Sequence, residues 1–115
     1  MLYLKRAYEP KARTDGLRIL VDRLWPRGVT KAKLGIDEWM KELAPSRELR
    51  QWFAHDPAKW REFQRRYKRE LRDHVDLLDK LAALARRRRV TLVFGARDEE
   101  HNDAVVLAAV LRRRM

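Results

Sequence analysis

Val90-Thr91-Leu92-Val93-Phe94, followed by the polar stretch from Gly95 to His101 and by Asn102-Asp103-Ala104-Val105-Val106-Leu107, decides the fold of this chain. The first five residues read as a short β-strand. Gly95 to His101 reads as a loop, and Asn102 or Asp103 is the expected cap of a final helix running to about Arg113. A strand that feeds directly into a helix is half of a parallel crossover unit, which calls for matching strands elsewhere in the chain.

Two are found upstream. Leu2 to Leu4 is one, and Arg18-Ile19-Leu20-Val21-Asp22 is the other, an apolar run that suits a buried position. Pro10, Asp15 and Gly16 mark the intervening Glu9 to Gly16 as a polar loop. After the second strand, Leu24-Trp25-Pro26-Arg27-Gly28 forces a turn, because Pro26 fixes its own φ and disfavours helix at Trp25. Thr30 suits the cap of a brief helix over Lys31 to Leu34, whereas Ile36 to Leu43 fits either an extended segment or a helix. Ser46 caps a helix over Arg47 to Phe53, and Asp56-Pro57 repeats the start signal. Trp60, Phe63, Tyr67 and Leu71 then recur at helical spacing, an aromatic stripe that reads as core. A further helix spans Val75 to about Arg87 and ends in Arg86 to Arg89, cations at the negative end of its dipole. The expected class is α/β, a small mostly parallel sheet covered by helices in one compact domain, residues 1–115.

The 115 residues carry a formal charge of +11 and no cysteine. Disulfides, thiolate metal sites and cysteine nucleophiles are thereby excluded, in keeping with a reducing compartment. The first residues become charged too soon for a signal peptide, and no stretch has the length of a membrane span, so a cytoplasmic location and no membrane partner are expected. Residues 57–89 hold 12 Lys and Arg against 5 Asp and Glu. Such a field attracts nucleic acid or anionic metabolites, though Arg enrichment is equally at home on a solvated face. Gly-rich phosphate loops, dinucleotide fingerprints, zinc-binding His-Glu-x-x-His and nucleophile elbows are all missing, and no cofactor or metal is expected. Nothing in the sequence specifies an oligomeric state.

Ligands of open α/β sheets bind outside the carboxyl ends of the strands. Two polar loops fall there. Asp22 to Gly28 sets Arg23 and Arg27 beside Trp25, and guanidinium forks match phosphate or carboxylate bidentately. Arg97 to Asn102 precedes the last helix, whose N-terminus favours an anion, with Asp98 and His101 as proton-exchanging groups. His55, just before a helix start, joins them as a third candidate. Each residue also has a plain structural role open to it: Arg23 pairing with Asp22 or Asp98, Trp25 in the core, Asn102 as a helix cap, His55 satisfying local backbone.

Leu20-Val21-Asp22-Arg23-Leu24-Trp25-Pro26-Arg27-Gly28, Ala44-Pro45-Ser46, Leu49-Arg50-x-Trp52-Phe53-x-His55-Asp56-Pro57, Arg66-Tyr67, Thr91-Leu92-Val93 and Asp98-x-x-His101-Asn102-x-Ala104 together resemble the YeaO-like branch of the domain-of-unknown-function family 488. The resemblance runs through essentially the whole chain, in order. It implies a bacterial or archaeal cytosolic protein with a small α/β fold and leaves the activity open. Longer relatives in that family carry a Cys-His-Arg signature after the last strand, where this chain has His101-Asn102-Asp103, so a cysteine-based reaction is not carried over.

The leading expectation is a small enzyme or binder of a phosphorylated or nucleotide-like anion. Arg23 and Arg27 clamp the ligand, Trp25 stacks on it or shapes the pocket, Asp22 and Asn102 join as ligand-binding residues, and Asp98 with His55 or His101 handles protons. The alternative is a nucleic-acid-binding protein using the basic helical face of residues 57–89, and a scaffold domain is the remaining default.

Overall fold

The computed structural model describes residues 1–115 as a four-stranded, all-parallel sheet of order β1-β4-β2-β3. β1 spans Leu2–Arg6, β2 Leu17–Leu20, β3 Glu38–Trp39 and β4 Val90–Phe94. α1 covers Lys31–Leu34, α2 Arg47–Phe53, α3 Trp60–Leu71, α4 Val75–Arg87 and α5 Asp103–Arg114. The expected α/β class is thus found, with one strand more than the sequence reading supplied. The ambiguous segment from Ile36 to Leu43 resolves into β3 and a 3-10 turn at Lys41–Leu43. β2 also starts and stops earlier than Arg18 to Asp22, because Asp22 leaves the ladder to serve a loop.

β4 lies between β1 and β2 and is buried at all five positions. A parallel central strand has side chains covered on both faces, which is why it reads as an uninterrupted apolar run. On one face Leu2, Ile19, Val90, Leu92 and Phe94 join the large core with α2 to α5. The other face is smaller: Leu20 and Val93 meet Ala7 and Leu34 of α1, with Trp25 and Trp39 packed against them. The aromatic stripe of α3 lies as expected, Phe63, Tyr67 and Leu71 being buried, with Trp60 at its half-buried end.

The capping signals hold. Thr30, Ser46 and Asn102 accept hydrogen bonds from the backbone N–H groups of Lys33, Leu49 and Val105. At Gly16 a positive φ of 66° coincides with a close chain crossing, where any Cβ would stand 2.3 Å from the Arg89 carbonyl oxygen. No helix is long and apolar enough to cross a membrane.

Candidate functional site

The carboxyl ends of β2 and β4 open onto a cavity of about 210 Å³, walled by the loop after β2, the segment from Pro45 to His55, and the start of α5. Asp22 joins the two strand ends. Its Oδ2 accepts from the Gly95 N–H at 2.7 Å, and its carbonyl accepts from the Trp39 indole, also at 2.7 Å. Gly95 suits that approach, since a Cβ there would lie 3.3 Å from Asp22 Oδ2.

Two guanidiniums line the cavity, those of Arg23 and Arg50. Arg23 donates from Nε to the Pro45 carbonyl at 3.0 Å, and neither arginine belongs to any ion pair. The pairing of Arg23 with Asp22 or Asp98 is therefore not made. Arg50 projects from α2, and its Nε is sealed from solvent with no acceptor. A buried donor left unpaired is costly, by about 1–3 kcal/mol.

The apolar walls are fixed by packing. Trp25 donates its indole N–H to the Val29 carbonyl at 2.7 Å and meets Trp39 edge-on at 5.5 Å between ring centroids, so it shapes the cavity as a held wall. Phe53 and Phe63 stack at 4.2 Å. His55 is exposed at the rim, carried by two successive left-handed residues, Ala54 at φ 46° and His55 at φ 56°.

α5 begins at the cavity with Asn102 and Asp103. Asn102 is spent on structure at both ends, accepting from the Val105 N–H at 3.0 Å and donating to the Asp98 carbonyl at 2.9 Å. Asp103 is half-buried, it lines the same cavity as Asp22, and its Oδ1 accepts from the Ala104 N–H at 2.9 Å. Burial first, and then the charge and hydrogen bond of Asp22, push the Asp103 carboxyl well above the usual range. Behind the pair, the Tyr67 hydroxyl donates to the Leu43 carbonyl. Burial, then the charges of Asp103, Asp22 and Glu70, raise that phenol as well.

Of the residues singled out in the sequence, Asp22, Arg23, Trp25, His55 and Asn102 line the cavity together. Arg27, Asp98 and His101 do not. Arg27 is exposed, with its carbonyl accepting from the Tyr8 hydroxyl at 3.0 Å. Asp98 binds His101 at 2.8 Å through the imidazole Nδ1 and also accepts from the backbone N–H groups of Glu100 and His101. The Glu100 N–H and the His101 ring hold the Asp98 carboxyl below its ordinary value. The His101 ring meets Trp60 edge-on at 5.2 Å. Arg50 and Asp103 were missed as site residues. Arg50 stood inside the Leu49-Arg50-x-Trp52-Phe53 block, and Asp103 was visible only as a possible cap. No group of three or more His, Asp or Glu side chains is arranged to hold a metal ion.

Comparisons with known proteins place the chain in a family. A family model described as the inactive DUF488-N3 subclade matches residues 1–115. The uncharacterized protein YeaO of Escherichia coli K12 is 44% identical over 108 residues, covering 94% of each chain. The uncharacterized protein Rv3073c of Mycobacterium tuberculosis H37Rv is 42% identical over 109 residues, 95% of this chain and 92% of the relative. No solved structure matches. With the family model spanning every element that builds the cavity, and relatives above 40% identity from end to end, the chain belongs to the DUF488 family, in its YeaO-like branch.

Proposed function

We propose that the protein binds a small phosphorylated or nucleotide-like anion in the cavity at the strand ends, with Arg23 and Arg50 as its cationic contacts. The observation that carries this reading is Arg50, whose Nε is enclosed without an acceptor, in a cavity that Arg23, itself in no ion pair, also lines. A ligand oxyanion is the natural acceptor for such donors. The Asn102–Asp103 start of α5 adds the positive end of a helix dipole. Arg27 is not part of the clamp, and Asn102 acts by holding the loop.

Binding is favoured over catalysis. The subclade's description is inactive, the chain has no cysteine, and its only serine is a cap whose hydroxyl is 2.6 Å from Glu70. Among the candidate proton carriers only His55 lines the cavity, while Asp98 and His101 occupy each other outside it. The absence of cysteine is consistent with a cytoplasmic location.

The test is a thermal-shift titration with inorganic phosphate and nucleoside monophosphates on the wild type, Arg23→Ala, Arg50→Met and Arg27→Ala. Stabilisation by roughly 5 °C at ligand ten times above its Kd is expected. It is lost in the first two variants and kept in Arg27→Ala. Equal responses from all four proteins would sink the reading.

A second reading, nucleic-acid binding, has one observation in its favour: Arg61, Lys68, Arg69 and Arg72 are exposed and free of ion pairs along the α3 face.

A further inference from the structure

Arginines alone would make the cavity a general anion site, but its wall is not made of arginines alone. Asp22 comes from the loop after β2 and Asp103 from the first turn of α5, and both reach the same cavity as Arg23 and Arg50. Asp22 Oδ2 and Asp103 Oδ1 each take one backbone N–H, from Gly95 and Ala104, and the remaining carboxyl lone pairs at the wall are acceptors. An approaching ligand oxygen without a hydrogen meets lone pair against lone pair there. A ligand oxygen that carries a hydrogen donates into the pair while its other oxygens take the guanidiniums.

Resting on the anion-binding reading above, we propose that the cavity selects an oxyanion that still bears an O–H group, with the Asp22–Asp103 pair as acceptor of that hydrogen. This chemistry fits hydrogen phosphate and the monoanion of a phosphomonoester. It disfavours sulfate, which has no proton near neutrality, and phosphodiesters, whose phosphate has none at all. A terminal phosphate fits and the internal phosphates of a nucleic-acid strand do not. A cavity of about 210 Å³ is on the scale of a phosphate with a small substituent.

The charged and titratable groups around the pair are Arg23 on its own loop, Arg50 on α2, His55 beyond α2, Tyr67 and Glu70 on α3, and Asp98 with His101 at the outer edge. Any of them that titrates alters the field alike for inorganic and methyl phosphate, which carry nearly the same charge as each other at either pH. The ligand's own proton is separable from them, because a phosphomonoester loses its last O–H near pH 6 whereas inorganic phosphate keeps one well above neutrality.

The experiment is calorimetric titration of the full chain with inorganic phosphate, methyl phosphate, dimethyl phosphate and sulfate, at about pH 5.5 and about pH 8, to either side of the ester's last ionisation. Inorganic phosphate is expected to bind at both values. Methyl phosphate should bind at the lower pH and lose about tenfold or more relative to inorganic phosphate at the higher. Sulfate and dimethyl phosphate should be weaker by about 100-fold at both. Asp103→Asn, which turns one acceptor oxygen at the wall into an N–H donor, should narrow the phosphate-to-sulfate gap to less than about tenfold.

Sulfate matching phosphate in the wild type, or methyl phosphate tracking inorganic phosphate at both pH values, overturns the selection while leaving a plain arginine anion site intact. Binding of none of the four overturns both that site and the selection. Should Asp103→Asn fail to fold, the wild-type panel decides by itself. Rejection of methyl phosphate at the lower pH, where it still bears its O–H, likewise overturns the selection.

Discussion

Asp15 sits 2.6 Å from the Arg18 guanidinium and 3.0 Å from Lys5 Nζ, and its Oδ2 also takes the Ala12 backbone N–H. Burial alone would raise its carboxyl, but that N–H and the two cations outweigh burial and hold it below the ordinary value of 3.8. A depressed folded-state value contributes stability above the unfolded value, lost as pH falls through the folded one. Asp15→Asn should therefore lower stability by about 3 kcal/mol at neutral pH, with the deficit shrinking below about pH 4. Urea unfolding followed across that range measures it. Asp103 works in the opposite sense. Its raised value means that stability is fully present below the unfolded 3.8 and is lost as pH rises through the folded value. Asp103→Asn removes that loss, so the variant should gain on the wild type as pH rises, in the same unfolding series. Neither acid was legible in the sequence: Asp15 served there as a loop marker and Asp103 as a possible cap. Their titration depends on neighbours brought in from Lys5 and Arg18 and from Asp22, which spacing along the chain does not encode.

The turn after α2 strains two side-chain-bearing residues, since Ala54 and His55 both adopt left-handed φ. Ala54 closes the helix by donating its N–H to the Arg50 carbonyl at 3.0 Å, a position where glycine is the usual occupant. Ala54→Gly should raise stability by roughly 1 kcal/mol, whereas Gly16→Ala should lower it by considerably more, because there the added Cβ meets backbone at 2.3 Å. Thermal unfolding of both variants checks the contrast. Elements with local signals were readable in advance. α2 announced itself through Ser46, α3 through Trp60, Phe63 and Tyr67, and α5 through Asn102. β3 did not, because a strand of two residues exists only through its pairing of Glu38 with Ile19 and Trp39 with Leu20. The place of the site was legible for the same reason as the parallel sheet, since strand ends follow from topology. Its membership was legible only in part: Asp22, Arg23, Trp25, His55 and Asn102 were named, but Arg50 and Asp103 enter from helices whose orientation only packing determines.

Over the whole molecule the charge of +11 overstates the free cations, since Glu62 holds both Arg65 and Arg66 at 2.8 Å. Those two hydrogen bonds lower the Glu62 carboxyl to about 2, so it stays ionised throughout the physiological range. Association with duplex DNA through the remaining face should weaken with salt, the logarithm of affinity falling by roughly 0.9 per phosphate neutralised. Arg23→Ala should leave it unchanged, and a fluorescence-anisotropy salt series on both proteins measures the two effects together. A salt-independent affinity would exclude this face as the contact. The position of β4 has a consequence for how the molecule comes into being. β1 and β2 touch through β4 alone, and the register couples Leu2 with Val90 and Leu17 with the same Val90. During synthesis, the first two strands must wait, unpaired with each other, for the arrival of residues 90–94. Folding is accordingly governed by closure of long loops, the slow regime for single domains. A nascent chain halted before Val90 has its early helices within reach but only the two-residue pairing of β2 with β3 on which to lay them.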